Sequence, residues 1–248
     1  FPNKFSKVQT ILMYPQYWAF RLSGVAANEV TSLGCHTDLW KPSSGSYSDL
    51  VTQRGWFEKM APLRSSFECL GPLKPNIAEE TGLPSHIPVY CGLPDSNASL
   101  LPHVLRTARP VSVVSTGTWV IVMALGAPAD GLNPAQNTLV NVDALGSPFP
   151  TARFMGGRDF EKLLGSESAE PTPEEIKSAM LSDVRVLPAS SEQKTRWSAN
   201  PDDLSRGVKT ALVSIFLAKE TADRLELIGA QGTIYGEGPF CKNGVFTS

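Results

Sequence analysis

The sequence predicts an α/β protein. Apolar runs of strand length, at 87–92, 111–115 and 118–125, alternate with segments that carry helix start signals, and the longest amphipathic pattern comes late, after Asn200. Hydrophobic residues make up 42% of the 248 and charged residues 19%, enough to build a core in one large domain or two lobes.

Residues 5–22 place Ile11, Leu12, Tyr14, Trp18 and Leu22 at helix-compatible spacing, interrupted by Pro15, with Gly24 as the stop. Residues 25–38 are small and polar and read as loop or short helix. A Ser/Gly turn at 42–48 precedes a short helix over 53–60. A helical turn over 76–81 leads to Gly82-Leu83-Pro84, where a lobe boundary is placed, dividing the chain into 1–86 and 87–248. The strand 87–92 ends at Gly92, and Asp95-Ser96-Asn97 caps a helix over 98–106 that must accommodate Pro102. Strands at 111–115 and 118–125 join through a tight turn at Thr116-Gly117, and 139–143 and 152–155 add short strands. Gly157-Arg158-Asp159 leads into a helix over 160–164, and Thr172-Pro173-Glu174-Glu175 is a capping box with proline at the first helical position. Asn200-Pro201-Asp202-Asp203 opens the longest helix, in which Leu204, Val208, Ala211, Leu212, Ile215, Ala218, Ala222 and Leu225 share a face. The strand 233–235 then delivers the chain into Gly236-Glu237-Gly238.

Several function classes are disfavoured. The net charge of −2 and a pI near 6.0, with no Lys/Arg-rich run, argue against nucleic acid as a partner. The longest apolar run, 119–125, is too short to span a bilayer, and the opening Phe1-Pro2-Asn3-Lys4 has no signal-peptide character. Four cysteines without a C-x-x-C pair, and three histidines, give no zinc pattern; they read as the reduced thiols of a cytoplasmic protein. The chain starts at Phe1 without methionine and ends just after a Gly-rich turn, so both ends read as those of a fragment.

Three places could carry chemistry. Gly92-Leu93-Pro94-Asp95-Ser96-Asn97 puts a carboxylate after an apolar strand, at a helix start, where active clefts often form. Asp95 there either caps the helix or accepts a proton, and one group can do both. Ser115-Thr116-Gly117-Thr118-Trp119 brings backbone N–H groups and hydroxyls to one point, which suits a phosphate, or is an ordinary hairpin turn. Gly236-Glu237-Gly238-Pro239-Phe240 allows close backbone approach to a flat ligand, but it is neither a P-loop nor G-x-G-x-x-G. Cys35-His36 lacks the partners a thiol nucleophile needs. Trp18, Trp40 and Trp56 read as core or sugar-cleft packing, and Arg158 as a solvated helix start with a guanidinium able to reach a phosphate.

The order and spacing of these motifs resemble the FGGY carbohydrate kinase family. Gly71-Pro72-Leu73, Ala78, Thr81-Gly82-Leu83, then Pro88-Val89, Gly92 and Asp95 are similar to the junction between that family's two lobes. Val113-Val114-Ser115-Thr116-Gly117-Thr118-Trp119 resembles its phosphate-binding hairpin, and Tyr235-Gly236-Glu237-Gly238 its adenosine-side loop. Tyr17-Trp18 through Arg21-Leu22-Ser23-Gly24, then Glu29-Val30-Thr31, resembles its "Y-x-x-x-R-L-T-G" and "E-x-T" segment. The wording Asp95-Ser96-Asn97-Ala98 with Ser115-Thr116-Gly117-Thr118-Trp119 looks most like the rhamnulokinase and fuculokinase branch. The family's opening Asp-x-Gly-Thr hairpin and its final helices have no counterpart here, and Pro94 and Glu237 depart from its usual residues.

The resemblance implies an actin-like, ribonuclease H-like ATPase fold, with 1–86 as the end of the sugar-binding lobe and 87–248 as a truncated nucleotide-binding lobe. It implies transfer of the ATP γ-phosphoryl group, with Mg²⁺, to the hydroxyl of a ketose or deoxyketose such as rhamnulose, fuculose or xylulose. Asp95 would be the general base, Gly117 and Thr118 would hold phosphates, and Gly236, Gly238 and Phe240 would border the adenosine. No metal-ligating residue is named, and a homodimer is allowed. Lobe closure would exclude water. The alternative is a non-catalytic sugar- or nucleotide-binding relative on the same fold, which would have no reason to keep Asp95. A fragment lacking the first hairpin would itself be inactive.

Overall fold

The computed structural model describes residues 5–190 and 193–248; the opening residues 1–4, read above for a signal peptide, lie outside them. Contacts divide the chain into two compact units, Phe1–Ala108 with Val140–Phe149 and Arg109–Leu139 with Pro150–Ser248. Among the described residues, no helix is long and apolar enough to cross a membrane.

In the first unit, α1 (Tyr14–Ser23) takes Pro15 into its first turn, so this proline starts the helix instead of interrupting it. Gly24, at φ 85, closes α1 by donating its N–H to the Phe20 carbonyl. The segment expected to be loop or short helix contains α2 (Val30–His36), capped by the Glu29 carboxylate. Strands β1 (Trp40–Lys41) and β2 (Ser46–Tyr47) pair around the Ser/Gly turn. Helix α3 (Asp49–Gln53) lies before the expected 53–60, where only a 3-10 turn forms at Phe57–Lys59; Gly55, at φ 63, breaks the helical path. Strand β3 (Cys69–Pro72), helix α4 (Pro75–Thr81) and strand β4 (Pro88–Tyr90) follow, with β3 and β4 antiparallel.

Leu73, Ala78 and Val89 pack with Ala19 of α1, and this packing keeps β4 in the first unit. The first unit runs on through β4 as far as Ala108. Helix α5 (Asp95–Arg106) begins at Asp95, with Pro94 as N-cap, and not at Ala98 as expected. The first helical turn needs no intrahelical N–H partners, so Asp95, Ser96 and Asn97 fit inside it. The helix continues through Pro102.

The second unit is built on β5 (Val111–Thr116), β6 (Val120–Leu125) and most of β8 (Pro148–Phe154), followed by α6 (Gly156–Leu164) and α7 (Pro173–Leu181), while β7 (Thr138–Val142) passes into the first unit at Val140. After the short pair β9 (Val186–Leu187) and β10 (Arg196–Trp197) come α8 (Arg206–Leu227), β11 (Thr233–Glu237) and α9 (Gly244–Thr247). The main sheet has the order β11-β5-β6-β8-β7. β5 and β6 pair antiparallel from Val111↔Leu125 to Thr116↔Val120, while β11 joins β5 in parallel. Val114, Val122, Ala124 and Ala152 on the sheet pack with Leu164 of α6 and Val213 and Leu217 of α8. Val111 and Val113 are fully buried as well, as is Ser112 between them, so β5 is covered on both faces.

The Thr172 capping box forms as expected. The long helix starts later than expected, at a Ser205 cap whose hydroxyl accepts from the Val208 N–H. Asn200 instead folds back onto the Asp202 N–H as a turn.

Candidate functional site

Parallel pairing of β5 with β11 sets Glu237 opposite Ser115, so the two strands end side by side. Loops leaving the carboxyl ends of neighbouring parallel strands are where α/β proteins commonly bind ligands. Here those loops are Thr116-Gly117-Thr118 and Gly238-Pro239-Phe240. Thr116 joins them: its buried hydroxyl donates to the Glu237 carbonyl at 2.7 Å and accepts from the Phe240 N–H at 3.1 Å. Gly238 adopts φ 89, and a Cβ placed there would lie 1.9 Å from the Thr116 carbonyl oxygen. The approach of the two loops thus requires glycine at this position.

A third element meets the hairpin. A Cβ on Gly157, at the start of α6, would sit 2.1 Å from the Gly117 carbonyl oxygen, and Arg158 donates its N–H to the Thr118 carbonyl at 3.3 Å. The Gly117 N–H is engaged inside the hairpin with the Trp119 carbonyl at 2.9 Å. The N–H and hydroxyl of Thr118 make no hydrogen bond among the described residues, and the residue is exposed. Phe240 packs at a tilt between Phe160 and Phe246, with centroids 5.5 and 5.4 Å away. Gly117, Thr118, Gly236, Gly238 and Phe240 therefore belong to one locality of the second unit.

Replacing Thr116 by Val keeps the shape of the side chain but removes both hydrogen bonds. The expected loss is about 1–3 kcal/mol, because the Glu237 carbonyl and Phe240 N–H lose their partner together. A denaturant midpoint unchanged from wild type would show that the two loops do not depend on this hydroxyl.

Asp95 lies in the first unit, exposed, as the first residue of α5. Its Oδ1 accepts from the Ser96 N–H at 2.8 Å. The strand end before it is held from inside: the Gln16 carboxamide donates to the carbonyls of Cys91 and Gly92 at 3.3 and 3.1 Å. Glu29 is fully buried and serves as the α2 cap, its Oε2 accepting from the N–H groups of Thr31 and Ser32, each at 3.0 Å, and from the Thr31 hydroxyl at 2.6 Å. Cys35 donates to the Val142 carbonyl at 3.2 Å, and burial pushes its thiol up to about 11. It stays protonated at neutral pH, in keeping with its rejection as a nucleophile. Trp40 is core, stacked edge-on against Tyr47, whereas Trp18 is half-exposed on α1.

Two cavities lie apart from these residues. One, of about 540 Å³, is lined by Lys162, Leu163, Lys194 and Trp197, and the other, of about 440 Å³, by Thr10, Tyr17 and Phe20. Among the described residues no group of three or more His, Cys, Asp or Glu side chains is placed to hold a metal ion. The sequence reading missed Thr116 as the link between loops, Gly157 as the third contact and Gln16 as the support of the Asp95 turn. The pair Gly156-Gly157 at a helix start was the one local signal for any of them.

Residues 108–248, more than half of the chain, match the family described as "Carbohydrate kinase FGGY, C-terminal domain". No curated protein matches the sequence. Among solved structures, a carbohydrate kinase from Novosphingobium aromaticivorans is similar with a TM-score of 0.82 and 36% identity, over 96% of this chain and 56% of that one. A xylulose kinase from Rhodospirillum rubrum gives a TM-score of 0.71 at 19% identity, over 99% of this chain and 54% of its own. A ligand-bound xylulose kinase from Lactobacillus acidophilus gives 0.76 at 14%, over the same shares of 99% and 54%. At such identities the two xylulose kinases speak for the fold alone. The chain spans about half the length of these similar proteins.

Proposed function

Because this chain belongs to the FGGY carbohydrate kinase family, we propose that the full-length protein transfers a phosphoryl group from ATP to a sugar hydroxyl, with Asp95 as general base. The observation that carries this reading is the joining of two glycine-bearing strand-end loops by the Thr116 hydroxyl. That joint packs the loops backbone to backbone, with no room for a side chain at Gly238 or Gly157, at the carboxyl ends of neighbouring parallel strands, where a nucleotide would bind. Bound ATP would supply the phosphoryl group, and Mg²⁺ would neutralise charge on its phosphates.

The roles of the chain's own residues follow from their chemistry. The Thr118 N–H and hydroxyl, free of internal partners, would donate to phosphate oxygens. Gly236 and Gly238 would let the adenosine approach the backbone, with Phe240 fixing the loop through its ring contacts. Arg158, whose N–H is tied to the hairpin, adds a cation at the same locality. The Asp95 carboxylate, at the N-terminal end of α5, would accept the sugar hydroxyl proton as that oxygen attacks phosphorus. No cage of carboxylates is needed for Mg²⁺, since this ion is commonly held largely by substrate phosphates and water.

For the substrate, we propose a ketose or deoxyketose such as rhamnulose, fuculose or xylulose. The motif wording at 95–98 and 115–119 favours the rhamnulokinase and fuculokinase branch. The reading goes with a cytoplasmic protein, where ATP is present. The test is ADP release by the full-length protein with ATP and Mg²⁺ across a panel of ketoses and deoxyketoses. At least one sugar is expected to raise the rate far above the sugar-free background. A panel that leaves ADP release at background, while ATP still shifts the melting temperature, would favour the non-catalytic alternative.

A further inference from the structure

We propose that Gln16 is a positioning residue for Asp95, fixing the turn that carries the carboxylate from the buried side. The proposal rests on the reading of Asp95 as general base and adds a residue on which that base depends.

Gln16 is fully buried on α1, at a position where helix packing favours an apolar side chain. Its Nε2 donates to two successive carbonyls, Cys91 at 3.3 Å and Gly92 at 3.1 Å, while its Oε1 is buried without a hydrogen-bond partner. An orphaned buried acceptor opposes folding, and two long hydrogen bonds do little more than offset it. A methionine of similar volume would pack there without that conflict. Stability alone thus gives little reason for glutamine, whereas the place it grips gives a clear one.

The two carbonyls belong to the residues that end the strand run before Asp95. Their N–H groups are also held, Cys91 by the Glu68 carbonyl at 2.9 Å and Gly92 by the Ser66 carbonyl at 3.0 Å. Gly92 turns the chain at φ 71, and Asp95 follows three residues later. On the other flank, the buried Asn97 donates from Nδ2 to the Cys35 sulfur at 3.5 Å, and Cys35 donates in turn to Val142. The turn that carries the exposed carboxylate is therefore held at Cys91-Gly92 and at Asn97 by buried carboxamides, both within the first unit. A proton acceptor must hold its position to within a fraction of an ångström, and these anchors supply that constraint.

The test compares Gln16→Met, Gln16→Glu and Asp95→Asn in the full-length protein, with the sugar that gives the fastest ADP release. Gln16→Met is expected to lower kcat by about tenfold to a hundredfold, as a displaced catalytic group does. The KM for ATP should stay within about twofold, and the melting temperature within about 2 °C of wild type or above it. Gln16→Glu, isosteric, keeps a single donor and only while its buried carboxyl is protonated, so it should lose kcat more steeply than wild type as pH rises. Unchanged kcat in Gln16→Met overturns the proposal, and so does a loss of folding in both Gln16 variants, which would make the role structural. Asp95→Asn separates the two ideas. If it is inactive while Gln16→Met is fully active, only the Gln16 assignment falls; if it turns over normally, the general-base reading falls with it.

Discussion

Asp95→Asn should reduce sugar phosphorylation by about a hundredfold to ten-thousandfold, the range that general-base removal produces. Binding of ATP, measured by titration calorimetry, should stay within about twofold of wild type, since the substitution leaves ground-state contacts of the nucleotide untouched. Asparagine has the same shape, and its side-chain oxygen can still accept from the Ser96 N–H, so α5 should start as before. Magnitudes separate the two roles this aspartate could have. If it served only as a negative charge in the first turn of α5, its removal would cost about 0.3–1 kcal/mol of stability and leave turnover intact. A thousandfold loss of rate corresponds to about 4 kcal/mol, well outside that range. Near-normal turnover in Asp95→Asn would therefore reduce Asp95 to a helix-start charge.

The second large effect concerns Gly238. An alanine there must place its Cβ 1.9 Å from the Thr116 carbonyl oxygen, a backbone atom that cannot rotate away, at a φ of 89 that L residues rarely adopt. Backbone strain alone accounts for about 1–3 kcal/mol, and the overlap forces β11 and its loop away from β5. Separation of the two loops should weaken ATP by about a hundredfold or more, equivalent to about 3 kcal/mol. Gly131→Ala is the matched control: Gly131 has a φ of 72 and nothing within 4 Å of the new Cβ, so it carries strain without overlap. Its ATP affinity should equal wild type. Equal affinities for Gly238→Ala and wild type would remove the strand-end loops from the nucleotide site.

Much of the fold is legible in local chemistry. The β5–β6 hairpin is written in two apolar runs around Thr116-Gly117, the α7 start in Thr172-Pro173-Glu174-Glu175, and the helix stops in Gly24 and Gly82, both left-handed in the structure. Errors fell where two local signals competed. Asn200-Pro201 and Ser205 are both acceptable helix starts, and the structure uses the second because Asn200 closes a turn on Asp202. Pro15 looked like an interruption, yet the first turn of a helix can do without its N–H.

By itself, then, the sequence determined the α/β class, most of the elements and an ordered set of motifs sufficient to identify the carbohydrate kinase family, because caps, turns and strand runs are decided within a few residues. Which residues serve one another was decided by tertiary structure. Thr116 meets Glu237 across 121 positions because β11 adds to β5, Gly157 meets the hairpin because α6 begins against it, and Gln16 reaches Cys91 across 75 positions because α1 packs beneath that turn. Such pairings depend on long-range packing, and a polar residue buried to hold a distant backbone leaves no periodic signal in its own neighbourhood.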